Sequence, residues 1–186
     1  MGRLTENSVL MMKNTSFSIT ADLVVPDTAS GNGGGAGPEG VILAQGGVSG
    51  GHSLYAKGGR AKYCYNFFGL ERYYVEGTEV IPQGRHQVRM EFAYDGGGGV
   101  GKGGTATLYV DGVAVGDGRI DQTEAFLFSA DETCDVGDEY GSPVTTDCSV
   151  TKFTGEVNWV EIDLGLDDHN HLIEPEDRVR VAMGIQ

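Results

Sequence analysis

The chain has 186 residues, enough for one domain with a true core and too few for a comfortable second. Thirteen Lys and Arg against 27 Asp and Glu give a net charge of −14. That balance excludes phosphate-driven binding of nucleic acid and attraction to an anionic membrane surface. No run approaches the roughly 18 apolar residues of a membrane helix, and MGRLTENSVLMMKN lacks the parts of a signal peptide.

The 31 glycines gather between apolar runs, at 31–40, 46–51 and 96–104. A glycine costs a helix about 1 kcal/mol relative to alanine, so the composition predicts many short strands joined by turns. Residues 1–14 show no strand pattern. Phe17, Ile19, Ala21, Leu23 and Val25 then alternate with Ser18, Thr20 and Asp22, the period of a half-buried strand, and Pro26 stops it. Residues 41–44 form a short apolar run of the fully buried kind. Residues 54–57, 62–67 and 72–75 read as a meander broken at Gly58-Gly59 and at Gly69.

A second alternation sets His86, Val88, Met90, Phe92 and Tyr94 against Gln87, Arg89 and Glu91. The chain returns over 105–110, and Asp111-Gly112 is a type I′ hairpin signal leading into a strand over 113–120. Residues 126–129 read as another short strand. In the last long strand, 153–164, apolar residues fall on odd positions up to Trp159 and on even ones from Val160. That change of phase means a β-bulge near Trp159 or burial on both faces. Pro175 followed by Glu176 and Asp177 has the form of a helix start. The expectation is one all-β domain over 1–186, an antiparallel two-sheet β-sandwich. A C-terminal turn and short helix would occupy 166–186.

Motifs that promise chemistry fall short of it. GGGGVGKG at 96–103 is one residue from a phosphate-binding P-loop, but Gly103 stands where Ser or Thr must reach magnesium, and a strand follows in place of a helix. It reads as a hairpin loop. His169 and His171, beside Asp167 and Asp168, fit either one metal ion or a solvated turn. Asp131, Glu132, Asp135, Asp138, Glu139 and Asp147 form the densest acidic stretch. Asp131, Asp135, Asp138 and Glu139 are the candidate ligands of a structural calcium ion, which needs six to eight oxygens; a solvated polar loop is the other reading. Cys64 lies in a strand and reads as a buried thiol. Cys134 and Cys148 flank the acidic loop, and their pairing, worth about 3 kcal/mol for a loop of about 15 residues, stays open. No G-x-S-x-G is present and no histidine lies in a catalytic signature, so no catalytic residue is assigned. Asn14-Thr15-Ser16 is a glycosylation sequon.

Four stretches together resemble a known family: GVILAQGGVSGGHSLYAKGGRAKYCYNFFGLERYYV (40–75), HQVRMEFAYDGGGGVGKGGTATLYVDG (86–112), FSADETCDVGDEYGSPV (128–144) and FTGEVNWVEIDLG (153–165). They are similar to the C-terminal region of bacterial arylsulfatases. The resemblance implies a laminin-G-like or concanavalin A-like jelly-roll sandwich that follows a sulfatase catalytic domain, with residues 1–14 as a linker-like segment leading from that upstream domain. The family's catalytic signature, Cys-x-Pro-x-Arg or Ser-x-Pro-x-Arg, is absent: the five prolines are preceded two places earlier by Val24, Ala36, Val80, Gly141 and Ile173. No catalytic or metal residue therefore carries over. The resemblance also implies an aromatic residue where Cys134 stands, which favours the Cys134–Cys148 pair.

The resulting expectation is a non-catalytic accessory module whose partner is the sulfatase catalytic domain of the same parent chain. Such a module would carry an exposed apolar patch where that partner sits. The alternative is a carbohydrate-binding, lectin-like module, for which Tyr55, Tyr63, Tyr65, Tyr73, Tyr74 and Trp159 are the aromatic candidates.

Overall fold

The computed structural model describes residues 4–5, 11–27, 37–128, 132–165 and 171–173. Eleven strands are described: β1 (Leu4–Thr5), β2 (Phe17–Val25), β3 (Gly40–Gly47), β4 (Gly50–Lys57), β5 (Arg60–Phe67), β6 (Glu71–Val80), β7 (Gly84–Tyr94), β8 (Lys102–Val110), β9 (Val113–Gln122), β10 (Thr133–Val136) and β11 (Glu156–Leu164). They form two antiparallel sheets, one in the order β1-β10-β3-β4-β5-β6 and the other β11-β2-β7-β8-β9. The architecture is the expected all-β sandwich.

Alternation decides which residues face inward. Phe17, Ile19, Ala21, Leu23 and Val25 of β2 pair in register with Phe92, Met90, Val88, His86 and Gly84 of β7. The apolar members of that set, with Leu54, Tyr63, Tyr65, Leu108 and Ile120, make one interior core. Burying a side chain of this size is worth about 1.5–3 kcal/mol. Asp111 and Gly112 both take positive φ, 49° and 77°, as a type I′ hairpin requires.

A second, smaller core lies on the outer face of the six-stranded sheet. Val41, Ala44, Tyr55 and Cys64 point there and are covered by Val144, with Cys148 packed against them. The segment 144–148 is therefore a strap across the sheet. Asp147 pins it by accepting hydrogen bonds from Tyr55 Oη (3.0 Å), Lys57 Nζ (2.6 Å) and Lys62 Nζ (2.9 Å). These three donors hold the Asp147 carboxyl down at about 2, against the opposing pull of its partial burial.

Three expectations need correction. Residues 126–128 form no strand: Phe126 and Leu127 are exposed and only Phe128 is buried. The acidic stretch, read as a loop, contains β10, which pairs with β3 through Cys134↔Gln45 and Asp135↔Ala44. Cys134 and Cys148 are both free thiols. Cys134 faces the interior core while Cys148 lies against the outer cluster, so the sheet itself separates them. The helix expected from Pro175 lies outside the described residues.

Candidate functional site

The two sheets meet along one side of the sandwich at β10 and β11. β11 is the outermost strand of the five-stranded sheet, and β10 is followed only by the two-residue β1 in the other. Between them lies a groove of about 570 Å³, lined by 136–138 and Tyr140 on one side, 152–153 at its base and 155–160 on the other. Its base is a set of backbone bonds: Gly137 N–H donates to Ile42, Phe153 N–H to Gly137 and Thr154 N–H to Glu39.

Trp159 reaches this groove because of a bulge. The register of β11 against β2 slips between Val157 and Trp159, so that Val157 faces Leu23, Trp159 faces Asp22 and Val160 faces Ala21. Val157, Val160 and Ile162 pack on the core, while Trp159 joins the face opposite to it. Of the two readings of the phase change, the bulge is the one observed. Asn158 fixes it by donating from Nδ2 to Asp22 Oδ1 (2.6 Å), and Asp22 also accepts from Arg85 Nε at 3.0 Å.

Across from Trp159 the groove carries Tyr140, an exposed aromatic ring, with Asp138, Lys152 and Glu156 around it. None of these four was singled out as a binding residue except Asp138, and then only as a metal ligand. Their convergence depends on β10 lying next to β3, which no local pattern announces.

The other aromatic candidates are committed elsewhere. Tyr63, Tyr65 and Tyr73 belong to the interior core and Tyr55 to the outer cluster. Tyr74 is exposed and meets Thr146 of the strap at 3.2 Å.

Of the candidate calcium ligands, Asp135 and Glu139 lie near each other, and the Asp135 charge adds to burial in raising the Glu139 pKa. Asp135 is buried in β10 and accepts from Thr133 Oγ1 and from Tyr140 N–H. Glu139 is buried and accepts from Val144 N–H at 2.9 Å, and its burial raises its pKa. Asp138 lines the groove, and Asp131 lies outside the described residues. Among the described residues no group of three or more His, Cys, Asp or Glu side chains is placed to hold a metal ion. His169 also lies outside them, whereas His171 stacks on Tyr109 (4.2 Å between ring centroids) and donates from Nδ1 to Glu91 (2.7 Å).

The buried titratable groups are poorly suited to nucleophilic chemistry. Burial pushes the Cys64 thiol up to about 12 and the Cys134 thiol up to about 11, the opposite of an activated thiolate. His52, enclosed by Phe17, Tyr63 and Phe128, is pushed down to about 3 by burial and by Lys13, and so stays neutral.

A second surface is apolar. At one end of the sandwich the β3–β4 and β5–β6 turns are clamped together by Asn66, whose Nδ2 donates to the carbonyls of Gly47 (2.8 Å) and Val48 (3.1 Å) and whose Oδ1 accepts from Gly69 N–H. Glu124 joins the same end by accepting from Phe68 N–H at 2.9 Å. The tips of these segments expose Val48, Phe68, Leu70, Phe126 and Leu127, with Leu70 84% and Phe126 79% accessible. The Phe68-Gly69-Leu70 run was a usable signal, because a glycine turn flanked by two large apolar residues departs from ordinary turn chemistry.

No family model matches the chain, and no curated protein sequence matches it either. Solved structures do. The fold is of the laminin-G and pentraxin type. A heptameric SAP-like pentraxin from Limulus polyphemus superposes with a TM-score of 0.50 at 15% identity, over 87% of this chain and 71% of that one. Domains LG4-5 of the mouse laminin alpha1 chain give a TM-score of 0.55 at 12% identity, over 88% of this chain and 38% of that one. At such identities the likeness concerns the fold.

Proposed function

We propose that this chain is a non-catalytic accessory module of an arylsulfatase-like hydrolase, and that it docks on the catalytic domain through its apolar end. The observation that carries this reading is the exposure of Val48, Phe68 and Leu70 on two turns tied together by Asn66, with Phe126 and Leu127 exposed on the segment after β9, whose Glu124 accepts from Phe68 N–H. Large apolar side chains on ordered tips are costly to leave in water and mark contact surfaces. The resemblance of 40–75, 86–112, 128–144 and 153–165 to the C-terminal region of bacterial arylsulfatases supports assigning sulfate ester hydrolysis to a partner domain.

The test is reconstitution. The purified chain is expected to hydrolyse no aryl sulfate such as p-nitrophenyl sulfate. Mixed with the formylglycine-bearing catalytic domain of its parent, it is expected to form a complex in analytical ultracentrifugation. Phe68→Ser with Leu70→Ser should abolish that complex while leaving the fold intact by circular dichroism. Turnover by the chain alone, or undiminished association of the double variant, overturns the reading.

A further inference from the structure

The Trp159 groove lies along the side of the sandwich where β10 and β11 meet, whereas the proposed docking residues sit on turns and on the segment after β9. We infer that this groove is a binding subsite for a neutral oligosaccharide. Its volume of about 570 Å³ falls within the roughly 300–1,000 Å³ of small-molecule sites. Its lining includes two aromatic residues from different elements, Trp159, half-buried on β11, and Tyr140, exposed beyond β10. The apolar faces of a pyranose stack on such rings, and its hydroxyls need donors and acceptors at the rim. Asp138, Lys152 and Glu156 supply both kinds.

The surroundings select among ligands. Two carboxylates against one ammonium line the groove of a chain carrying −14 overall, which disfavours a polyanionic glycan. A peptide adding itself as a further strand needs an unbroken row of backbone groups along β11. The bulge at Val157/Trp159 interrupts that row at the centre of the groove. The bulge also brings Trp159 into register with Asp22 and out of the set formed by Val157, Val160 and Ile162 on the core, which leaves it to line the groove.

Trp159 is the only tryptophan of the protein, so its emission reports on this groove and nowhere else. The experiment is a fluorescence titration of the whole chain with neutral hexasaccharides of glucose, xylose and mannose, in parallel with a heparin hexasaccharide. At least one neutral sugar is expected to give a saturable change. Tyr140→Ala, which keeps the reporter, should weaken it tenfold or more. Isothermal titration of Trp159→Phe supplies a second variant in which a ring is retained, and weakened binding is expected there too. No response to any neutral sugar, a response to heparin alone, or an unchanged affinity in Tyr140→Ala each overturns the inference. Phe68→Ser with Leu70→Ser should bind the sugar normally, so failure of this inference and failure of the docking reading are separable.

Discussion

Trp159 stands opposite Asp22 in the register of β11 on β2, one place out of step with Val157 opposite Leu23. Asp22 is nearly fully buried and accepts hydrogen bonds from Asn158 inside the bulge and from Arg85 on β7. One carboxylate thus ties three strands at the point where the tryptophan leaves the core. Asp22→Ala is expected to destabilise the fold by about 2 kcal/mol, the usual cost of stranding charge-assisted bonds. It should also shift the emission of Trp159. A chemical denaturation series read by both circular dichroism and fluorescence checks the two effects together.

His52 makes stability depend on pH. Its imidazole takes a proton near 6.5 in the unfolded chain but only near 3 in the folded one. Between those values the unfolded state binds more protons, so stability falls as pH is lowered from 6.5 towards 3, by at most about 1.4 kcal/mol per unit. Urea midpoints at pH 7, 5.5 and 4 should decline accordingly. His52→Leu should flatten that decline.

The strap over the outer face depends on Asp147. Its depressed pKa means that its contribution is present above pH 3.8 and is lost as pH falls through about 2. Because Lys57 is substantially exposed, its pair with Asp147 contributes little, and the more buried Lys62 and Tyr55 bonds carry the effect. Asp147→Ala is expected to cost about 2 kcal/mol. Hydrogen exchange at 144–148 should rise in that variant with β7 and β8 unaffected.

Thiol chemistry distinguishes the three cysteines. All three should titrate with Ellman's reagent in denaturant, and reducing agent should leave the melting temperature unchanged. In the native protein Cys148, half-buried on the strap, is expected to react first. Cys64 and Cys134 should wait for unfolding.

Gly40 sits at φ 101° where β3 passes the 151–154 segment, and an added Cβ would lie 2.2 Å from the carbonyl oxygen of Lys152. Gly40→Ala combines a left-handed strain with a backbone clash. It should cost about 3 kcal/mol or more, measured as a shift of the denaturation midpoint.

The interior of this sandwich was legible because its signal is local. Alternation in β2 and β7, the Asp111-Gly112 hairpin and the change of phase at Trp159 each follow from the two-residue period of a strand. What escaped reading was set by distance. Thr133–Val136 is short and acid-flanked, and becomes a strand only because β3 offers it an edge. The apolar run 126–128 looked like a strand, yet no neighbouring strand pairs with it, and its residues divide between the core and the apolar end. Cys134 and Cys148 were close in sequence, but the sheet between them decided against a bond. The groove combined both kinds of case: Trp159 could be named from its phase, whereas Tyr140 and Lys152 could not.

The proposal of an accessory module is tested most directly by sequencing the transcript upstream of the codon for Met1. The account predicts an open reading frame continuous with this one that encodes Cys-x-Pro-x-Arg or Ser-x-Pro-x-Arg. A stop codon in frame immediately upstream, with no such signature in the same polypeptide, would contradict it.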